Sequence, residues 1–167
     1  MDKRTKRIVL SALMASLTCV ATMIIKIPTP LQGYINLGDC IVLLSAWTLG
    51  PVYGFAASGI GSLLADLLSG YGVYAPVTFV IKGGMALIAY FLHRVLKGKI
   101  KDILAMIISA TVAELVMVGG YYVFEGIMYG FSVSLVNIPA NLIQGVGGII
   151  FGVILVKAIG KHISVER

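Results

Sequence analysis

Charge is scarce in this chain. Of its 167 residues only 12% are charged while 59% are hydrophobic, and the mean hydropathy is +1.00. A soluble domain of this length carries roughly twice that charged fraction, and a single aqueous core could not hide so much apolar surface. Cysteine is nearly absent too: Cys19 and Cys40 supply neither a disulfide framework nor a metal site, and read as small apolar membrane residues. With His93 and His162 as the only histidines, there is no H-E-x-x-H motif or Cys/His cluster for a metal. Both histidines fall on the side expected to be cytoplasmic, so a nucleophile–base pair on the outer side has none to draw on, and both read as interfacial bystanders. No phosphate-loop motif occurs, so this sequence does not energise anything by itself. Enzymatic activity is the weakest reading, and the chain needs no cofactor of its own.

What the sequence has is length in apolar runs. Six stretches stand out, at about 8–27, 38–50, 51–68, 76–93, 102–124 and 137–158. The basic start MDKRTKR leads into about 20 apolar residues, long enough to span a bilayer rather than form a cleaved leader. The second and third stretches are short and are joined by the uncharged turn LGPVYG. Gly54, Ser58, Gly61 and Ala65 give the third a small-residue stripe for close packing. Continuous rather than alternating apolar runs exclude a β-barrel. The expected fold is an all-α integral membrane protein of six transmembrane helices, one domain over 1–167, lodged in a cell membrane.

Cations orient it. Lys3, Arg4, Lys6 and Arg7 precede the first stretch, Arg94, Lys97, Lys99 and Lys101 fill the link after the fourth, and Lys157, Lys161 and Arg167 close the chain. Six spans put all three clusters on one side, which the positive-inside rule makes cytoplasmic, together with both termini. The net charge of +6 therefore reflects topology and anionic lipid rather than a nucleic-acid partner. On the outer side remain three distinctive connections: PTPLQGYINLGD (28–39), SGYGVYAP (69–76) and EGIMYGFSVSLVN (125–137). They carry Tyr34, Tyr71, Tyr74 and Tyr129, which suit either an interfacial belt or a lid over a small-molecule pocket. Asp39, beside Gly38, reads as an N-cap of the second helix.

Polar groups inside the spans make the sharper case. Asp66, Lys82, Glu114 and Glu125 lie within or near the ends of apolar runs. Lys82 lies about 9 Å and Glu114 about 15 Å below the outer ends of their helices, at ~1.5 Å per residue. A charge at such depth costs at least ~2.5–3.5 kcal/mol unless paired or wetted. A Lys82–Glu114 ion pair would be one remedy, and a polar cavity the other. Helical spacing favours the cavity. Asn137, Asn141, Gln144, Gly148 and Gly152 form one stripe, Glu114, Tyr121 and Glu125 a second, and Thr78 with Lys82 a third. Three helices thus bring polar groups to similar depth.

The runs GYINLGD, LGPVYGFAASGIGSLLADLL, the lysine–glycine pair at 82–83 and VNIPANLIQGVGGIIFG carry a resemblance. Over nearly its whole length the chain resembles the S components of energy-coupling-factor (ECF) vitamin transporters, in the riboflavin-, hydroxymethylpyrimidine- and pyridoxine-type group. The resemblance implies a six-helix bundle that captures a vitamin or precursor outside and passes it to a transmembrane coupling subunit with two ATPases, which use the ATP. It implies ligand contacts at Tyr34, Asn36, Lys82, Glu114, Tyr121, Asn137, Asn141 and Gln144. It also implies docking of the coupling subunit on small residues of the first helix, here Ser11, Ala12, Ala15 and Ser16, with serine where alanine is usual. The only tryptophan, Trp47, falls far from this site, which favours a pyridoxine- or hydroxymethylpyrimidine-like ligand over a flavin. A riboflavin-specific S component is the alternative, followed by a non-transporting membrane scaffold whose polar stripes only knit helices together.

Overall fold

Each apolar stretch forms a helix, and none of the helices is interrupted. The structure, a computed structural model, describes residues 2–31 and 33–163, with the side chains of Lys3 and of 161–163 outside that description. The order is α1 (Lys3–Ile24), a hairpin of β1 (Ile27–Pro28) and β2 (Tyr34–Ile35), α2 (Gly38–Leu49), α3 (Pro51–Leu68) and α4 (Ala75–Leu96). Then follow α5 (Asp102–Tyr129), α6 (Phe131–Ser134), a 3-10 turn (Leu135–Asn137) and α7 (Ile138–Ile163). Among the described residues, five helices are long and apolar enough to cross a membrane, and α2, with 12 residues, is a shorter apolar sixth.

The expected boundaries shift in three places. α1 begins at Lys3 rather than residue 8 and stops at Ile24, because Ile27–Pro28 pairs antiparallel with Tyr34–Ile35 as an edge ladder. The stretch 125–137, expected as a connection, is almost entirely helical: α5 runs on to Tyr129, and only Gly130, at φ 96°, separates it from α6. That positive φ suits glycine, which has no Cβ to clash. The LGPVYG turn is tighter than a loop. Gly50 at φ 84° ends α2, and Pro51 opens α3 where a missing N–H costs nothing.

α3 is the central packing helix, most extensively in contact with α4 and α1. Its small-residue stripe is buried: Ser58 and Ala65 are fully enclosed, and a Cβ on Gly61 would collide with the Ala15 carbonyl of α1. Buried methionines, leucines and alanines of α2, α4 and α5 form the main core, including Val42, Leu43, Met85, Ala113 and Met117. Both cysteines are buried and unbridged. The exterior is the reverse of a soluble protein's. Leu13 and Val20 on α1, Leu115 on α5 and Ile143 and Ile154 on α7 face outward, while Asp39, Asp66, Lys82, Glu114 and Glu125 are inside. This is a multi-pass membrane protein.

One end of the bundle gathers the cations. The Arg7 guanidinium sits 5.9 Å from the Tyr53 ring centroid at the start of α3. Trp47 near the end of α2 lies 6.2 Å from His93 on α4, and a Cβ on Gly160 of α7 would stand 3.8 Å from Thr48. The start of α1 and the ends of α2, α4 and α7 therefore meet, with the 97–101 link among them. Arg167 lies outside the described residues, as do the side chains of Lys3, Lys161 and His162. His93 is more than a bystander: it is buried, and its Nε2 lies 3.1 Å from Asp102 Oδ1, joining the end of α4 to the start of α5.

Candidate ligand-binding site

The opposite end holds a pocket. It measures about 410 Å³ including its open mouth and is lined by Thr29, Gly33, Tyr34 and Asn36 of the hairpin region and Asp66 of α3. Tyr71, Tyr74, Thr78, Tyr121, Glu125, Asn141 and Gln144 complete the wall. The short α2 explains how a loop reaches so deep. At ~1.5 Å per residue its 12 residues rise only about 18 Å. The segment before it must therefore descend between the helices, carrying Tyr34 and Asn36 inward.

Three attachments hold the hairpin in place. Tyr34 Oη donates to Asp66 Oδ1 at 2.7 Å, with its ring 4.7 Å from that of Tyr71. Gln144 Oε1 accepts the Asn36 backbone N–H at 2.9 Å and its side-chain amide at 3.1 Å. Tyr74 Oη donates to Leu31 O at 2.6 Å and lies 3.3 Å from Glu125 Oε1. Burial, then the hydrogen bond and charge of Asp66, push the Tyr34 phenol well above its usual range; burial and Glu125 do the same for Tyr74. Both therefore remain donors. At the rim, Lys26 Nζ donates to Ser69 Oγ at 3.0 Å.

Below the pocket lies an ionic layer. Asp39 does not cap α2. The Gly38 N–H is instead taken by Asn36 Oδ1 at 2.9 Å, and Asp39, completely buried, binds Lys82 through Oδ1 and Gln144 Nε2 through Oδ2 at 2.7 Å. A carboxylate with no access to water gains more from an ammonium than from a cap. The Lys82–Glu114 pair considered from sequence is accordingly not formed. Neither Glu114 oxygen has a hydrogen-bond partner among the described residues, although the side chain is buried against Gly145 and Gly148 of α7. Glu114 borders a second, apolar cavity between α5 and α7 with Leu115, Val118, Leu142 and Val146.

The sequence-derived set thus divides. Tyr34, Asn36, Tyr121, Asn141 and Gln144 line the pocket, whereas Lys82, Glu114 and Asn137 do not. Lys82 lies beneath the floor, 5.6 Å from the Tyr121 ring centroid, and Asn137 backs the wall, its Nδ2 donating to Glu125 Oε1 at 2.8 Å. Asn141 is half-buried, and its amide makes no hydrogen bond among the described residues. Asp66 and Glu125, not in that set, both reach the pocket. Their signal was burial at a span end, but Glu125 read as part of a loop and Asp66 has its partner Tyr34 32 residues away. On α1 the two small-residue pairs also separate. Ala12 and Ser16 are exposed, while Ser11 and Ala15 are half-buried towards the bundle, Ala15 beside Gly61 of α3.

Comparison with known proteins matches this architecture. A family model described as "ECF-type riboflavin transporter, S component" matches residues 2–161. A Pyrococcus woesei relative, "Uncharacterized protein in gap 3'region", is 36% identical over 146 residues, covering 84% of this chain and 95% of that one. The "Thiamine precursor transporter HmpT" of Lactococcus lactis is 26% identical over 165 residues, covering 98% and 90%. A solved structure, "Structure and mechanism of the S component of a bacterial ECF transporter", superposes with a TM-score of 0.76 at 24% identity, over 98% of this chain and 99% of that one. Family and fold agree on a transporter subunit rather than an enzyme: the chain belongs to the ECF-type riboflavin transporter S component family.

Proposed function

We propose that this chain captures a small heterocyclic vitamin precursor at the outer face of the cell membrane. It delivers that ligand to an energising module of one transmembrane coupling subunit and two ATPases, which spend the ATP. The positive-inside rule supports a cytoplasmic position for the basic end of the bundle. The observation that carries the reading is the pocket itself: buried in a membrane protein, lined by amides, tyrosines and carboxylates, and roofed by a hairpin held by side-chain hydrogen bonds. Asn141 is the group most available to a ligand, with Tyr121 and Gln144 beside it.

A hydroxymethylpyrimidine- or pyridoxine-type ring suits the pocket better than a flavin. The lining is dominated by amides, tyrosines and carboxylates, and no tryptophan stands in it among the described residues. The Lactococcus relative named for a thiamine precursor points the same way. The name of the matching family keeps riboflavin as the second reading. Native mass spectrometry of protein purified from cells in rich medium tests both. A retained single-ring heterocycle supports the first reading, a retained flavin the second, and no retained or titratable ligand at all would leave a scaffold.

A further inference from the structure

Two carboxylates on the pocket wall each keep an unmatched oxygen. Asp66 is 5% exposed and Glu125 2% exposed, yet Asp66 Oδ2 and Glu125 Oε2 accept no hydrogen bond among the described residues. Thr29 Oγ1, also on the pocket wall, is likewise buried without a partner among the described residues. Thr78 stands beside Asp66, and its hydroxyl lies 3.1 Å from Tyr121 Oη. It can accept from that phenol and turn its own hydrogen towards Asp66, which still leaves the carboxylate fewer hydrogens than it can accept. Leaving such groups unmatched is costly, more so when they are charged, so a site that keeps them is waiting for hydrogens from elsewhere.

Charge tells the same story. No lysine, arginine or histidine lines the pocket. Lys82 beneath it is already committed to Asp39, and Lys26 is engaged at the rim with Ser69. Resting on the vitamin-capture reading above, we propose that Asp66 and Glu125 are specificity-determining residues that select an amino-substituted, protonatable nitrogen heterocycle lacking carboxylate and phosphate. Asp66 Oδ2 and Glu125 Oε2 each accept an N–H from the ring or its amino substituent, and Asn141 reads a hydroxyl or ring nitrogen between them. Charge-assisted N–H bonds of this kind are shorter and stronger than neutral ones. An anionic ligand would meet two buried carboxylates, and the nearest cation, Lys82, is already bound to Asp39.

Calorimetric titration of the full chain in lipid nanodiscs tests this with four probes: 4-amino-5-hydroxymethyl-2-methylpyrimidine, its 4-oxo counterpart, its phosphate ester, and riboflavin. The amino compound should bind, the 4-oxo compound at least tenfold more weakly, and the phosphate ester not measurably. Asp66→Asn and Glu125→Gln should each weaken the amino compound at least tenfold. Both keep an oxygen to accept from Tyr34 or from Asn137, so thermal unfolding without ligand should not fall. Equal binding of the amino and oxo compounds, binding of the phosphate ester as tight as that of its parent, tightest binding of riboflavin, or undiminished affinity in both variants overturns the proposal while leaving vitamin capture standing. No binding of any probe to folded protein removes the capture reading and this one with it.

Discussion

Gln144 on α7 grips Asn36 twice through a single oxygen, accepting its backbone N–H at 2.9 Å and its side-chain amide at 3.1 Å. The other end of the same amide donates to Asp39 at 2.7 Å. One side chain thus ties the base of the hairpin to the ionic layer, whereas Asn141, one turn earlier on the same face, is tied to nothing. Gln144→Met should therefore lower thermal stability, by about 1–3 kcal/mol for the stranded buried groups, and speed hydrogen exchange at 34–38. Asn141→Leu should leave stability within ~0.5 kcal/mol and weaken ligand binding roughly 5- to 150-fold. The reverse assignment of effects would show that Gln144, not Asn141, is the ligand's contact.

Lys82 and Asp39 should be worth little as a pair and much as separate members. Lys82→Met leaves a fully buried carboxylate without its ammonium, an expected loss of about 3–5 kcal/mol. Adding Asp39→Asn should recover most of that loss. Chemical unfolding of the two single variants and the double variant closes the cycle. Additive losses would mean that the two charges are stabilised independently.

Bulk on α1 should separate docking from folding. Ala12→Trp and Ser16→Trp project from the exposed row and should abolish co-purification with the coupling subunit without changing ligand affinity. Ala15→Trp points towards Gly61 of α3 and should instead destabilise the isolated chain. Unchanged co-purification in both exposed-row variants would place docking on another helix.

Orientation is open to direct labelling. In a background without Cys19 and Cys40, a cysteine at Tyr129 should react with an impermeant thiol reagent in intact cells. A cysteine at Lys99 should react only after permeabilisation. Labelling of 99 alone would turn the pocket towards the cytoplasm and rule out capture from outside.

Much of this was legible in the sequence because helical periodicity is strong in apolar spans. The stripes through Asn141 and Gln144 and through Tyr121 and Glu125 do face one pocket, and the small residues of α3 do mark its close contacts. What failed were judgements made from neighbours in sequence. Asp39 beside Gly38 obeys the local rule for a cap, yet its partner is Lys82, 43 residues on. The hairpin was invisible since two-residue strands are too short to alternate. Glu125 fell both on the helical stripe and in the connection because the apolar run ends at Phe124, whereas α5 continues to Tyr129.

The shortness of α2 also bears on how the protein enters the bilayer. Twelve residues rise about 18 Å, against ~30 Å of hydrocarbon, so α2 is a poor insertion signal by itself. Among the described residues only five helices are long and apolar enough to span alone, and a five-span chain would leave its termini on opposite sides and its basic loop misplaced. The sharp turn at Gly50–Pro51 lets α2 enter as the short arm of a helical hairpin with α3. Its buried aspartate must then await Lys82, which is synthesised 43 residues later. Until α4 has been made, the growing chain holds an acid with no counter-ion at the head of its weakest span. Co-translational insertion should therefore be most vulnerable to arrest or misorientation in that interval, between emergence of α3 and of α4.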